Sequence, residues 1–149
     1  MSSKQIIAYG AKVERSIDGG TTWASIPEAK GVAIPVVETD YQDVTNLDSE
    51  DGFREYIKGL RDAGVISVPC GYTSAGYEQQ LADEATDAPV QYRTTLKAAP
   101  GQSSGDIFEF SGFPTPKVEG SGDLGAPVEM SIDIRTTGAV TWTKGTAAV

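Results

Sequence analysis

Between Glu38 and Asp51 the chain carries six carboxylates, Glu38, Asp40, Asp43, Asp48, Glu50 and Asp51, and no base. Acids at this density suit three kinds of chemistry: oxygen ligands for calcium, an acid–base pair for glycoside cleavage, or a charged surface for a partner. The calcium reading needs fixed positions. With Gly52 as the sixth residue of an EF-hand loop, Leu47 falls first and Lys58 twelfth, where the loop requires an Asp and a bidentate Glu. That match fails, and neither a metal nor any other cofactor is expected. Glycoside cleavage needs two acids at a set spacing. With 21 acids in 149 residues some pairs fall close together by chance, and nothing singles out one of them.

A second stretch, "SIDGGTTW" (Ser16 to Trp23), has the S-x-D-x-G-x-T-W pattern of an Asp box, which recurs in glycan-acting β-propellers. Physically it is a hairpin turn: the carboxylate accepts bonds from turn amides, glycine supplies a positive φ, and the Trp packs beneath. A propeller needs several blades of about 40–45 residues each. One copy in a chain of this length is a turn.

The absences narrow the field further. Histidine is missing, so neither a Ser-His-Asp nor a Cys-His nucleophile system can be built within the chain, nor a His-ligated metal site. Cys70 is the single cysteine, with no base beside it in sequence, and reads as a small buried residue rather than a nucleophile. A net charge of −9 opposes holding nucleic acid or docking on an anionic membrane. No run approaches the roughly 18 apolar residues of a membrane span, and "MSSKQIIAYGAK" lacks a signal-peptide core, so assembly in the cytosol is expected. No enzymatic activity is expected.

The elements that position these residues are mostly strands. In "PVEMSIDIRTTGAVTWTKG", Val128, Met130, Ile132 and Ile134 alternate with polar residues, predicting a strand. Thr136-Thr137-Gly138 then predicts a turn into a second strand from Ala139 to Thr143. Residues 90–97, 106–113, 31–40 and 64–70 read as further strands, with Pro35 marking an edge or a bulge. One helix is expected over Ala75–Glu84, started by Thr73 or Ser74, with Tyr77 and Leu81 inward and Glu78, Asp83 and Glu84 toward solvent. The fold expected is mainly β: an antiparallel sandwich or partly open barrel with one short helix and a long inter-strand arm. At 149 residues it forms one domain, 1–149.

That arm, about residues 40–64, is longer than a compact domain carries without a reason. Acids come first, and the aromatic and basic part, "FREYIKGLR", follows. Tyr41, Leu47, Phe53, Tyr56, Ile57 and Leu60 are too many apolar groups for a solvated tail. The expected role is an assembly surface formed by Asp40, Asp43, Asp48, Glu50, Asp51, Phe53, Arg54, Tyr56, Ile57, Lys58, Leu60 and Arg61. Its two halves would pair with a copy of the chain or with a neighbouring surface, and such head-to-tail contacts build an open stack.

At these residues the sequence resembles the major tail tube proteins of long-tailed (siphovirus-type) bacteriophages. The likeness lies in "DVTNLDS" (43–49), "REYIKGLRDAG" (54–64), "VISVPC", the glutamine pair of "YEQQL", "DIFEFSGF" and the closing "IDIRTTG" followed by "AVTW". The Asp-box hairpin departs from the family pattern. The resemblance implies hexameric rings stacked into a hollow tube. The arm would contact the next ring, other tail proteins would cap the tube ends, and DNA would cross the bore without being bound specifically. It implies a place in the virion tail after assembly in the host cytoplasm. Residues 32–39 and 65–70, with 90–97 and 106–113, would form the bore wall. Two rivals stand beside it: a monomeric β-sandwich that binds glycans or a cell surface, and the tube protein of a contractile tail-like device.

Overall fold

The computed structural model describes residues 5–7, 9–32, 34–119 and 124–147. It is mainly β, as the alternation predicts. Eight strands are present among these residues: β1 (Lys12–Ser16), β2 (Ala24–Ser25), β3 (Glu38–Asp43), β4 (Tyr56–Asp62), β5 (Val65–Gly71), β6 (Val90–Thr95), β7 (Ile107–Glu119) and β8 (Glu129–Thr143). One helix, α1 (Ser74–Glu84), lies between β5 and β6. Six strands form one antiparallel sheet in the order β2-β1-β6-β7-β8-β5, while β3 and β4 pair only with each other.

The sheet curls into a half-barrel because its two edges are tied by one short segment. Ile26 N donates to Val13 O on β1 (3.1 Å), and four residues later Lys30 N donates to Pro69 O on β5 (2.8 Å). Gly71 N returns a bond to Glu28 O at 2.9 Å. Four residues span at most about 14 Å, so the first and last strands must approach one another. The inward faces of the strands then share one core: Val13, Ile26, Val68, Cys70, Val90, Tyr92, Phe110, Met130, Ile132 and Ile134 are all buried. Tyr92 and Phe110 stand opposite each other in register and stack with ring centroids 5.4 Å apart. Cys70 is fully buried, and desolvation pushes its thiol up to about 11.

The Ser16–Trp23 turn forms as expected and joins β1 to β2. The Asp18 carboxylate accepts from the Ser16 hydroxyl (2.6 Å) and from the Thr22 and Thr21 amides (2.9 and 3.1 Å). Gly19 and Gly20 take φ of 78° and 92°, where a side chain is strained. Trp23 lies against the sheet with the Arg93 guanidinium 4.3 Å from its ring centre.

Several expectations are corrected. Thr136-Thr137-Gly138 does not turn the chain, since β8 runs unbroken to Thr143. Thr136 is buried and its N and Oγ1 both donate to Gly64 O (3.1 and 2.6 Å), which holds the strand in place. The positive φ of Gly138 is used in a bulge, where two steps on β7 (Glu109 to Ser111) face four on β8 (Thr137 to Thr141). Val128 lies outside the strand and is exposed. β7 extends to Glu119 through Pro114 and Pro116, a stretch past the start of β6 where only β8 flanks it and a missing N–H is tolerated. Residues 34–37 form no strand, which begins only at Glu38.

The buried face of the helix is corrected as well. Thr73 caps it, its Oγ1 accepting from Gly76 N at 3.0 Å, but the buried residues are Gly76, Gln80 and Asp83 while Leu81 is 42% exposed. Gly76 lies on the contact face: a Cβ there would stand 2.8 Å from the capping Thr73 Oγ1 and 3.7 Å from Met130 Cε and Pro27 Cβ. Asp83 is brought to Arg15, Nε to Oδ2 3.0 Å. Burial pushes the Asp83 carboxyl up, and the Arg15 charge pulls it partly back.

Two outcomes follow for stability. A Cβ on Gly112 would stand 2.5 Å from Ile134 Cγ2 and 2.8 Å from Arg135 O. Gly112→Ala should therefore cost about 1–3 kcal/mol in denaturant unfolding, by overpacking. The Ser16 hydroxyl first, then the Thr22 amide, hold Asp18 down to about 2. A depressed carboxylate stabilises above its unfolded value near 3.9, and that contribution is lost as pH falls through about 2. Asp18→Ala should accordingly lower Tm at pH 6, and the gap to wild type should close between about pH 4 and 2 in thermal scans.

Candidate assembly interface

Residues 38–62 are not a loose loop but a hairpin. The acidic half pairs in register with the aromatic and basic half of the same chain. Glu38 faces Asp62, Thr39 faces Arg61, Tyr41 faces Lys58, Gln42 faces Ile57 and Asp43 faces Tyr56. One extra residue on β4 makes a bulge, so Gly59 and Leu60 together oppose Asp40. Glycine suits that place because a Cβ on Gly59 would stand 3.3 Å from Asp40 O.

Opposed residues share a face, and neighbours along a strand alternate. One face of the hairpin therefore carries Thr39, Tyr41, Asp43, Tyr56, Lys58 and Arg61. The other carries the acids Glu38, Asp40 and Asp62 with Gln42 and Ile57. Register sets Lys58 opposite Tyr41 and Arg61 opposite Thr39, neither opposite an acid. Lys58 and Arg61 have no ion-pair partner among the described residues, and Arg54 Nη1 reaches its own Asp43 Oδ2 only at 3.7 Å.

The tip, residues 44–55, is ordered by its own hydrogen bonds. Val44 N donates to Glu55 O (2.9 Å), Glu55 N to Thr45 Oγ1 (2.8 Å), Asp48 N to Asn46 Oδ1 (2.8 Å) and the Ser49 hydroxyl to Glu55 Oε2 (3.0 Å). Thr45, through its hydroxyl first and then its amide, holds the Asp43 carboxyl below its ordinary value. A 3-10 turn over Glu50–Gly52 bends the tip, with Asp51 and Gly52 at φ of 57° and 70°. Phe53 closes it by donating its N–H to Glu50 O at 3.1 Å. Among the described residues no group of three or more acids or thiols could hold a metal ion.

The hairpin has almost nothing behind it. All seven residues of β4 are exposed, as are Phe53 at 73% and Leu60 at 85%. Leu47 and Tyr41 are exposed as well. At its root Arg135 Nη2 donates to Asp62 Oδ2 (3.0 Å), and Gly64 O holds Thr136. Sequence reasoning missed this anchor; Asp62 two residues before a glycine was the available signal, since its Oδ1 accepts from Gly64 N at 3.0 Å. An isolated two-stranded hairpin is marginal in water, and both its edges offer unpaired amides and carbonyls. The arrangement can bind through two side-chain faces, two open edges and an acidic, apolar tip.

No protein-family model matches this chain, and no curated protein matches it. Solved structures do. A chain in the cryo-EM structure of an extracellular contractile injection system, the PVC sheath/tube terminator in the extended state, superposes with a TM-score of 0.72 at 12% identity, covering 96% of this chain and 99% of that one. A chain of the anti-feeding prophage baseplate gives 0.68 at 10% identity, covering 96% and 98%. A chain in the virion of a native gene transfer agent particle gives 0.65 at 18% identity, covering 89% and 95%. At such identities the likeness is one of fold: this chain has the half-barrel fold of chains found in phage-tail-like particles.

Proposed function

We propose that this chain is a building block of the tube in a phage tail or tail-derived particle, assembling as stacked rings of six. The observation that carries the reading is the β3–β4 hairpin, bare on both faces, projecting from a half-barrel whose fold occurs in tail assemblies. The hairpin is the arm that reaches the adjoining ring. Phe53, Tyr56, Ile57 and Leu60 are buried there, and Lys58, Arg61 and Arg54 meet acids next door. Burying those four side chains offsets the cost of holding a marginal hairpin in one place, at roughly 1.5–3 kcal/mol for each large side chain taken fully from water.

The sheet also suits a conduit for DNA. Each cation on the outward face of the central strands is engaged: Arg93 with Glu14 (3.0 Å), Lys117 with Asp133 (2.6 Å) and Arg135 with Asp62 (3.0 Å). A wall whose cations are neutralised, on a subunit of charge −9, offers phosphates little to hold. A sheathed, contractile setting is the second reading, favoured by the likeness to a chain of a contractile injection system. The purified protein should form rods or rings at high concentration in negative-stain images. Replacing residues 40–61 by a tight turn should leave a folded monomer by circular dichroism. Phe53→Ser or Leu60→Ser should weaken assembly about thirtyfold, the loss of an anchor worth about 2 kcal/mol. Rods from the turn variant, or a wild-type chain monomeric at every concentration, would overturn this reading.

A further inference from the structure

Among the described residues, one end of the half-barrel gathers three exposed lysines. Register places Lys12 opposite Thr95, Thr95 opposite Ile107, and Ile107 opposite Thr143, so Lys12, Lys97 and Lys144 share that end. All three are exposed, and none has an ion-pair partner among the described residues. The carboxylate at this end, Asp106, lines the same groove: its Oδ1 accepts from Gly145 N (2.7 Å) and Gln102 Nε2 (3.1 Å), and these bonds first, with the Lys144 charge adding to them, hold its carboxyl below the ordinary value. Beside Lys144 opens a groove of about 680 Å³, with Ile6, Ala99, Pro100 and Ala147 in its lining. The groove is mixed in character: these apolar residues share it with Gln5, Gln102, Asp106 and Lys144.

The arm tip is its chemical complement. Leu47 is fully exposed and Phe53 nearly so, and between them stand Asp48, Glu50 and Asp51. No partner for any of these three carboxylates is present among the described residues, whereas Glu55 accepts from Ser49 and Asp43 from Thr45. The tip thus offers two apolar side chains flanking uncompensated negative charge.

We propose that the groove beside Lys144 receives the arm tip of a second copy of this chain, Leu47 and Phe53 entering among Ile6, Ala99, Pro100 and Ala147 while Asp48 and Glu50 meet Lys97 and Lys144. This rests on the assembly reading above and gives it a receptor surface. Because tip and groove are different patches of one chain, the contact is heterologous and propagates into an open series. Charge complementarity of this kind steers association and fixes polarity, and salt screens it, the Debye length falling from about 10 Å at 0.1 M to about 3 Å at 1 M.

The test uses two full-length variants. One reverses the tip (Asp48→Lys with Glu50→Lys), and the other reverses the groove (Lys97→Glu with Lys144→Glu). All four residues are exposed, so both variants should keep the wild-type Tm. Each alone should assemble about tenfold or more slowly than wild type by light scattering at low salt, through lost steering. An equimolar mixture should recover the wild-type rate, because the basic tip of one then fits the acidic groove of the other. If wild type assembles and either variant does so equally fast, or the mixture shows no recovery, the groove is not the receptor while the assembly reading stands. If wild type itself never assembles, both fall.

Discussion

The rest of the molecule depends on the tie between its two sheet edges. Ile26 bonded to β1 and Lys30 bonded to β5 leave the sheet no choice but to curl, and curling gives it a single inside. The alternating apolar residues of β1, β5, β6, β7 and β8 then all face the same space, which Tyr92, Ile132 and Ile134 fill. A flat sheet of these strands would need a second layer to cover that face. Here the curl does most of the covering, and the one helix covers the remainder.

That helix shows what a nearly closed core demands. Its buried face is Gly76, Gln80 and Asp83 rather than a stripe of leucines. The carboxylate meets Arg15, itself pointed inward because its register partner is Tyr92. Such a buried pair adds little net stability, but losing either partner strands a charge and costs about 3–5 kcal/mol. The helix is seated by a specific contact more than by apolar area.

The same economy explains the hairpin. With the core complete, β3 and β4 have nowhere to pack and stand out with their apolar groups in water. A monomer gains nothing by holding Leu47, Phe53 and Leu60 there. Such an arm is stabilised fully only against another surface, and its internally bonded tip and salt-bridged root present it ready-formed, which lowers the ordering cost of binding. Carboxylates hold Arg93, Lys117 and Arg135 on the sheet face, while Lys12, Lys97 and Lys144 stand exposed at one end of it.

Much of this was legible in the residues alone. The alternation around Ile132, the strands at Val65 and Val90, the Asp18 turn and the capped helix depend on neighbours within a few positions, and local patterns record such interactions. The segment that forms the hairpin, too, stood out by composition and length, though not the pairing of its halves. Tertiary structure decided the rest. Thr136–Gly138 carries a bulge instead of a turn because Gly64, 72 residues away, captures Thr136. Asp83 faces inward because Arg15 waits there, and the arm's halves pair with each other so that a bulge at Gly59 sorts its side chains into two faces. A sequence fixes the period of a segment through steric and apolar preferences of adjacent residues, but the partner of each segment is chosen by contacts far along the chain.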